Sequence, residues 1–301
     1  MSATDDPLWS HFRPLSLELV TPGDGILVAG GYGLFLRQQS LPEERTTPIA
    51  IPFERWTDAA PRATGDMDLI VSLDLISDEA ANRALFDALR RQGFVVSEKP
   101  HGKRWKFFKE IGENRHIIAE LHTPMPGEDL EHVKANRFAV KYQPSLGEHG
   151  VHGRTNQEAI GSELHPTRFV LDGVTVVVPN PVTMSVMKLT AAEDMWIKSQ
   201  DRTLEAKERS YFRDQAIKHG HDVCRTLAMM TAEERESSRN VVESIKDMPP
   251  FLRAAEIYFD FFNGPQKWAN EVLAGKWLPE DLDVIHGILG DWYRAGEQAE
   301  A

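Results

Sequence analysis

Arg62-Ala63-Thr64-Gly65-Asp66-Met67-Asp68-Leu69-Ile70-Val71 opens as a turn and closes as an apolar run. Residues 67–73 therefore read as a strand, entered by two carboxylates. Asp66 and Asp68 are two apart, so a strand points both to one side. Like charges side by side are a poor arrangement for a sheet packed into a core. They suit a divalent ion, which two carboxylates can share. The plain alternative is a solvated strand end. About 35 residues upstream, Ile26-Leu27-Val28-Ala29 reads as a buried strand running into Gly30-Gly31-Tyr32-Gly33 and then a helix over 32–39. Glycines at that junction let backbone N–H groups and a helix N-terminus approach a phosphate closely. Alone they also describe a tight strand-to-helix turn. The run is not a dinucleotide fingerprint, because Leu36 stands where a glycine is needed, and no Gly-Lys-Ser/Thr follows to make a Walker loop.

Downstream, residues 115–122 alternate, with Ile117, Ala119 and Leu121 on one face and Ile118, Glu120 and His122 on the other. Glu120 is thus a third carboxylate that can complete a metal site or deprotonate a hydroxyl; its bland reading is an exposed glutamate. Between these pieces, residues 78–92 have helical spacing stopped by Gly93, and 94–97 with 105–109 suggest a hairpin. The first 125 residues or so read strand–helix–strand–helix–strand–strand–strand. Residues 41–63 read as mostly loop and 124–153 as loop-rich, while 168–178 form a second hairpin turning at Asp172-Gly173. After Pro181 the pattern is helical almost to the end. The fold class is α+β, with an α/β sheet domain over 1–180 and a helical domain over 181–301.

In combination these residues resemble the nucleotidyltransferase fold of the DNA polymerase beta superfamily, and more closely the AbiEii-type nucleotidyltransferases, which include toxins of toxin–antitoxin pairs. That family carries a Gly-Gly turn, an Arg-x-Thr-x-Asp-x-Asp-Leu strand and a helical C-terminal part. Here stand Gly30-Gly31, Arg62-Ala63-Thr64-Gly65-Asp66-Met67-Asp68-Leu69, Lys188 within Met187-Lys188-Leu189, and Lys218-His219-Gly220-His221-Asp222. The resemblance covers roughly residues 25–230. It implies Mg²⁺ on Asp66, Asp68 and Glu120, and a nucleoside triphosphate held by Gly30, Gly31, Arg62, Thr64 and Lys188. It further implies Lys188 and Asp222 acting from the helical domain. The implied reaction moves a nucleotidyl group to a hydroxyl acceptor, with tRNA as one acceptor and a cognate antitoxin as partner. Two positions depart from the family. Tyr32 replaces a small residue and would put bulk where the triphosphate passes, and Glu120 replaces the commoner Asp. A catalytically silent nucleotide-binding or protein-interaction module is the second reading.

Composition sets the outer bounds. The chain has 301 residues, 41% hydrophobic and 27% charged, with a formal net charge of −12. That balance argues against a protein that coats nucleic acid. Residues 231–301 hold seven basic and fourteen acidic side chains, so that segment is the larger source of the negative balance. No apolar run approaches the ~20 residues of a membrane helix, and the start lacks the pattern of a signal peptide. Cys224 is the sole cysteine, so no intrachain disulfide forms, and a cytoplasmic setting is expected. Residues 101–118 hold five basic groups against two acidic, interleaved with Trp105, Phe107 and Phe108. RNA stacking is one use for such a patch, but an amphipathic hairpin with its aromatics in the core is favoured. His149 and His152 lie in a glycine-rich stretch with no third ligand nearby and read as loop.

Overall fold

The computed structural model describes residues 6–18, 25–44, 48–57, 65–96, 104–112, 115–127, 130–264, 267–273 and 275–294. In chain order the elements are α1 (Trp9–Glu18), β1 (Ile26–Ala29), α2 (Gly30–Glu44), β2 (Asp66–Val71), α3 (Leu73–Ser77), α4 (Glu79–Arg91), β3 (Val95–Val96), β4 (Lys106–Gly112), β5 (Arg115–Thr123), β6 (Val133–Ala135), β7 (Ala139–Tyr142), β8 (His152–Thr155), β9 (Thr167–Leu171) and β10 (Val174–Val178). Among the described residues six α-helices follow: α5 (Pro181–Gln200), α6 (Ala206–Ala228), α7 (Ala232–Ile245), α8 (Pro249–Ile257), α9 (Trp268–Leu273) and α10 (Pro279–Tyr293). The fold is α+β. One compact unit comprises Met1–Arg45 with Pro61–Pro179, and the other Thr46–Ala60 with Asn180–Ala301.

The first unit is built on a mixed sheet of order β1-β2-β5-β8-β7-β6, with β4 on β5 and β3 on β4. β1 runs antiparallel to β2, and β2 parallel to β5. The other edge of β5 is shared: β4 pairs with its start and β8 with His122 and Thr123. Alternation decides which face is dry. Met67 and Leu69 of β2 and Ile117, Ala119 and Leu121 of β5 are buried, and Val28, Phe107, Val140, Leu85 and Leu89 join them in one core. β9 and β10 form a separate hairpin; Asp172 (φ 46°) and Gly173 (φ 75°) make the turn, the left-handed pair that a two-residue hairpin needs.

Three local readings needed revision. The sequence reads as acidic and polar from Met1 to Pro14, but α1 places Trp9, Phe12 and Leu15 at helical spacing in the core, despite Pro14 inside the helix. α2 continues to Glu44, past the expected end near 39, because Leu41 stays on its buried side. The stretch 124–153 holds β6 and β7 and the start of β8, short strands whose alternation spans too few residues to stand out in sequence.

In the second unit, Asn180 caps α5 by accepting from the Thr183 N–H at 2.9 Å, and Pro181 takes the first helical position, where its missing N–H costs nothing. Capping boxes start α6 (Glu205/Glu208) and α7 (Thr231/Glu234). Residues 48–57 belong here, where the sequence reads loop. Ile51 N–H donates to Ala228 O at 3.0 Å, Ile49 bridges Thr231, and Trp56 packs on Trp277. No helix among the described residues is long and apolar enough to cross a membrane.

Candidate functional site

The site is assembled by register on the polar face of the sheet. Asp68 stands opposite Ala29 of β1 on one side and Glu120 of β5 on the other. Glu120 in turn stands opposite Lys106 of β4, and His122, two residues on, opposite Arg154 of β8. Paired residues share a face, so Asp68, Glu120, His122, Lys106 and Arg154 converge while their neighbours Leu69, Ala119 and Leu121 are buried behind them. His122 Nε2 lies 3.4 Å from Asp68 Oδ1 and 4.0 Å from Glu120 Oε2. Ligand atoms of Asp68, Glu120 and His122 all lie within 4.8 Å of one another, the one such group of metal-ligating side chains among the described residues.

Glu120 is held from both sides. Lys106 Nζ pairs with Oε1, and Arg154 Nη1 reaches Oε2 at 3.2 Å. Its side chain is only 16% exposed, so it is an anchored anion rather than a solvated strand residue. His122, 12% exposed, is the member of the group that the sequence reading placed on the right face without giving it a role. The overlooked signal was its i+2 spacing from Glu120.

The glycine turn meets the same carboxylate. Gly30 has φ +65°, and its α-carbon lies under Asp68: an added Cβ would stand 2.9 Å from Asp68 Cγ and 3.1 Å from Asp68 Cβ, and closer still to Oδ2. Asp68 therefore sits against the first residue of α2, at the end of the helix where partial positive charge and unpaired N–H groups gather. Gly31 is buried in the first turn. Gly33 is demanded by packing, since a Cβ there would strike the backbone oxygen of Val28. The expectation that Tyr32 crowds a triphosphate does not hold. Its ring is 1% exposed, stacked on Phe35 and edge-on to Phe12 within the core. Burial and the neighbouring Asp6 push its hydroxyl pKa up, which keeps it neutral.

Asp66 lies on the same face as Asp68, exposed at the strand entrance and outside the three-residue group. Arg62 and Thr64 lie outside the described residues. In the second unit, Lys188 Nζ donates to Asp222 Oδ2 at 2.8 Å, with the two side chains 6% and 2% exposed. His219 Nδ1 is 3.9 Å from the same oxygen. Lys218 Nζ donates to Gln215 Oε1 at 2.7 Å. Trp105 and Phe107 are buried, as the core reading of that hairpin expects, and Lys106 faces Glu120. Cys224 is fully buried, and desolvation raises its thiol pKa far enough to keep it inert.

Two carboxylates and an imidazole fit a single divalent ion. Oxygen donors suit Mg²⁺, and the added nitrogen suits Mn²⁺ as well. Lys106 and Arg154 offset part of the negative charge, which tempers the affinity expected from the two carboxylates.

No protein-family model and no curated protein matches the sequence. Among solved structures, an antigenic nucleotidyltransferase-like protein from Paracoccidioides brasiliensis is similar over 81% of this chain and 92% of its own, at 13% identity and TM-score 0.35. The antibiotic-resistance factor ANT(2'')-Ia is similar over 82% and 97%, at 12% identity and TM-score 0.32.

Proposed function

We propose that this protein is a divalent-metal-dependent nucleotidyltransferase whose centre is Asp68, Glu120 and His122, with Asp66 at its rim. The observation that carries the reading is the contact of Asp68 with Gly30 at the start of α2 while it shares ligand distance with Glu120 and His122. A metal-capable carboxylate and a helix N-terminus in contact suit one ligand above others, a polyphosphate with its cation.

A divalent ion bound there would neutralise phosphate charge and lower the pKa of a coordinated hydroxyl. The chain's own groups supply the rest. The first-turn N–H groups of α2 orient phosphate oxygens, with Gly30 and Gly31 allowing the approach. Lys106 and Arg154 hold Glu120 in place, and Glu120 or Asp66 takes the acceptor hydroxyl proton. The acceptor oxygen bonds to the α-phosphorus, the bond from that phosphorus to the bridging oxygen breaks, and pyrophosphate leaves. Lys188, oriented by Asp222, and Arg62 and Thr64 are assigned to the triphosphate on the strength of the family resemblance. The same resemblance supports a hydroxyl acceptor on RNA such as tRNA and an antitoxin partner, and the single cysteine, Cys224, supports a cytoplasmic setting.

The test is transfer of label from α-labelled nucleoside triphosphates, with Mg²⁺ or Mn²⁺, to bulk tRNA and to small hydroxyl compounds. Metal-dependent labelling that Asp68→Asn abolishes is expected. Tight nucleotide binding without transfer to any acceptor would favour the catalytically silent reading.

A further inference from the structure

Beyond Arg154, the same sheet face turns basic. Lys134 of β6 stands directly opposite Lys141 of β7, and Lys141 opposite His152 of β8. The backbone N–H of His152 bonds Arg104 O at 3.0 Å, which brings the Arg104 side chain to the end of this row. These four residues line a cavity of about 360 Å³, with Asn136 and Ser145 among its polar walls. Two polar atoms at the site, Arg104 Nη1 and His152 Nδ1, are buried and have no hydrogen-bond partner among the described residues.

Such a row is unfavourable by itself. Like charges directly opposite on neighbouring strands repel, and a buried guanidinium nitrogen without an acceptor forgoes a charge-assisted bond. Burial, with Lys141 and Arg104 nearby, lowers the His152 pKa to about 4, so the pocket already presses against its own positive charge. The frame is nevertheless held by buried hydrogen bonds. Asn82, fully buried on α4, accepts from the Val151 N–H at 2.8 Å and donates to Val151 O at 3.3 Å and Ile76 O at 3.2 Å, fixing the pocket floor. A preorganised cavity that stores repulsion among cations is what an oxyanion relieves on binding.

We propose that the pocket walled by Arg104, Lys134, Lys141 and His152 is a metal-independent binding site for the phosphate group of a small phosphorylated compound. Three cations exceed what one carboxylate can neutralise and match a phosphate dianion or pyrophosphate, and guanidinium geometry suits phosphate oxygens. The volume is that of a small-molecule site. Nucleic-acid tracks add free aromatic platforms, whereas Tyr142, which also lines the pocket, is already stacked on His132. The inference stands independently of nucleotidyl transfer at Asp68.

Calorimetric titration of inorganic pyrophosphate in excess EDTA tests it, with wild type, Asp68→Asn, Lys141→Gln and Arg104→Gln/Lys141→Gln. Wild type and Asp68→Asn should bind equally within twofold. Lys141→Gln should bind more weakly and the double variant at least tenfold more weakly. Without ligand, both pocket variants should melt no lower than wild type, because they relieve repulsion. Absence of binding to wild type, loss in Asp68→Asn, or unchanged binding in the double variant would each overturn the proposal. So would a ten-nucleotide RNA that binds this face and is not displaced by pyrophosphate.

Discussion

Replacing Gly30 with alanine tests whether the glycine turn and the metal-capable group are one device. The backbone there has φ +65°, and a side chain in that region costs ~1–2 kcal/mol. The new methyl would lie 2.9 Å from Asp68 Cγ and 3.1 Å from Asp68 Cβ, against ~3.5–4.0 Å for relaxed carbon contacts. The carboxylate must therefore retreat by roughly 1 Å, at an overpacking cost of ~1–3 kcal/mol. Together these give about 2–5 kcal/mol of lost stability, measurable by urea denaturation. A displacement of that size would also slow a reaction at the site by about 100-fold and weaken Mn²⁺ binding, read by titration calorimetry. Gly65→Ala is the control, since nothing lies within 4 Å of its added Cβ and it should be near neutral. Wild-type stability together with wild-type Mn²⁺ affinity in Gly30→Ala would refute the coupling of turn and carboxylate.

Asp68→Asn should reduce metal-dependent transfer by more than ~100-fold, while Asp66→Asn, outside the three-residue group, should cost less; equal losses in a steady-state assay would make the two carboxylates equivalent. Lys188→Ala strands the buried Asp222 carboxylate and should destabilise by ~3–5 kcal/mol, whereas Lys188→Met/Asp222→Leu should fold with stability near wild type. Transfer that survives in that double variant would reduce the pair to a structural role. His152, with its pKa lowered to about 4 from an ordinary 6.5, contributes stability present above pH 6.5 and lost as pH falls toward 4. The loss amounts to ~3 kcal/mol at most, and denaturation curves of His152→Gln should lack that part of the acid slope. An identical slope in the variant would assign the acid sensitivity elsewhere.

Periodicity and residue type were enough to place much of this protein. Alternation put Asp66, Asp68, Glu120 and His122 on the polar faces of two strands, because a strand's side chains have a period of two whatever its neighbours are. The turn at Asp172-Gly173 is local chemistry, legible from two adjacent residues whatever their neighbours are. Tertiary structure decided what lay between segments distant in sequence. Register between β2 and β5 chose Asp68 rather than Asp66 as the partner of Glu120 and admitted His122 to the group. Packing of α1 turned Tyr32 into the core and away from the site. The pairing of Lys188 with Asp222 and the meeting of Arg104 with His152 likewise required chain segments far apart in sequence to meet. Composition and spacing carry the period of each element. They do not carry register, because a sliding strand keeps its own alternation and changes only whom it faces.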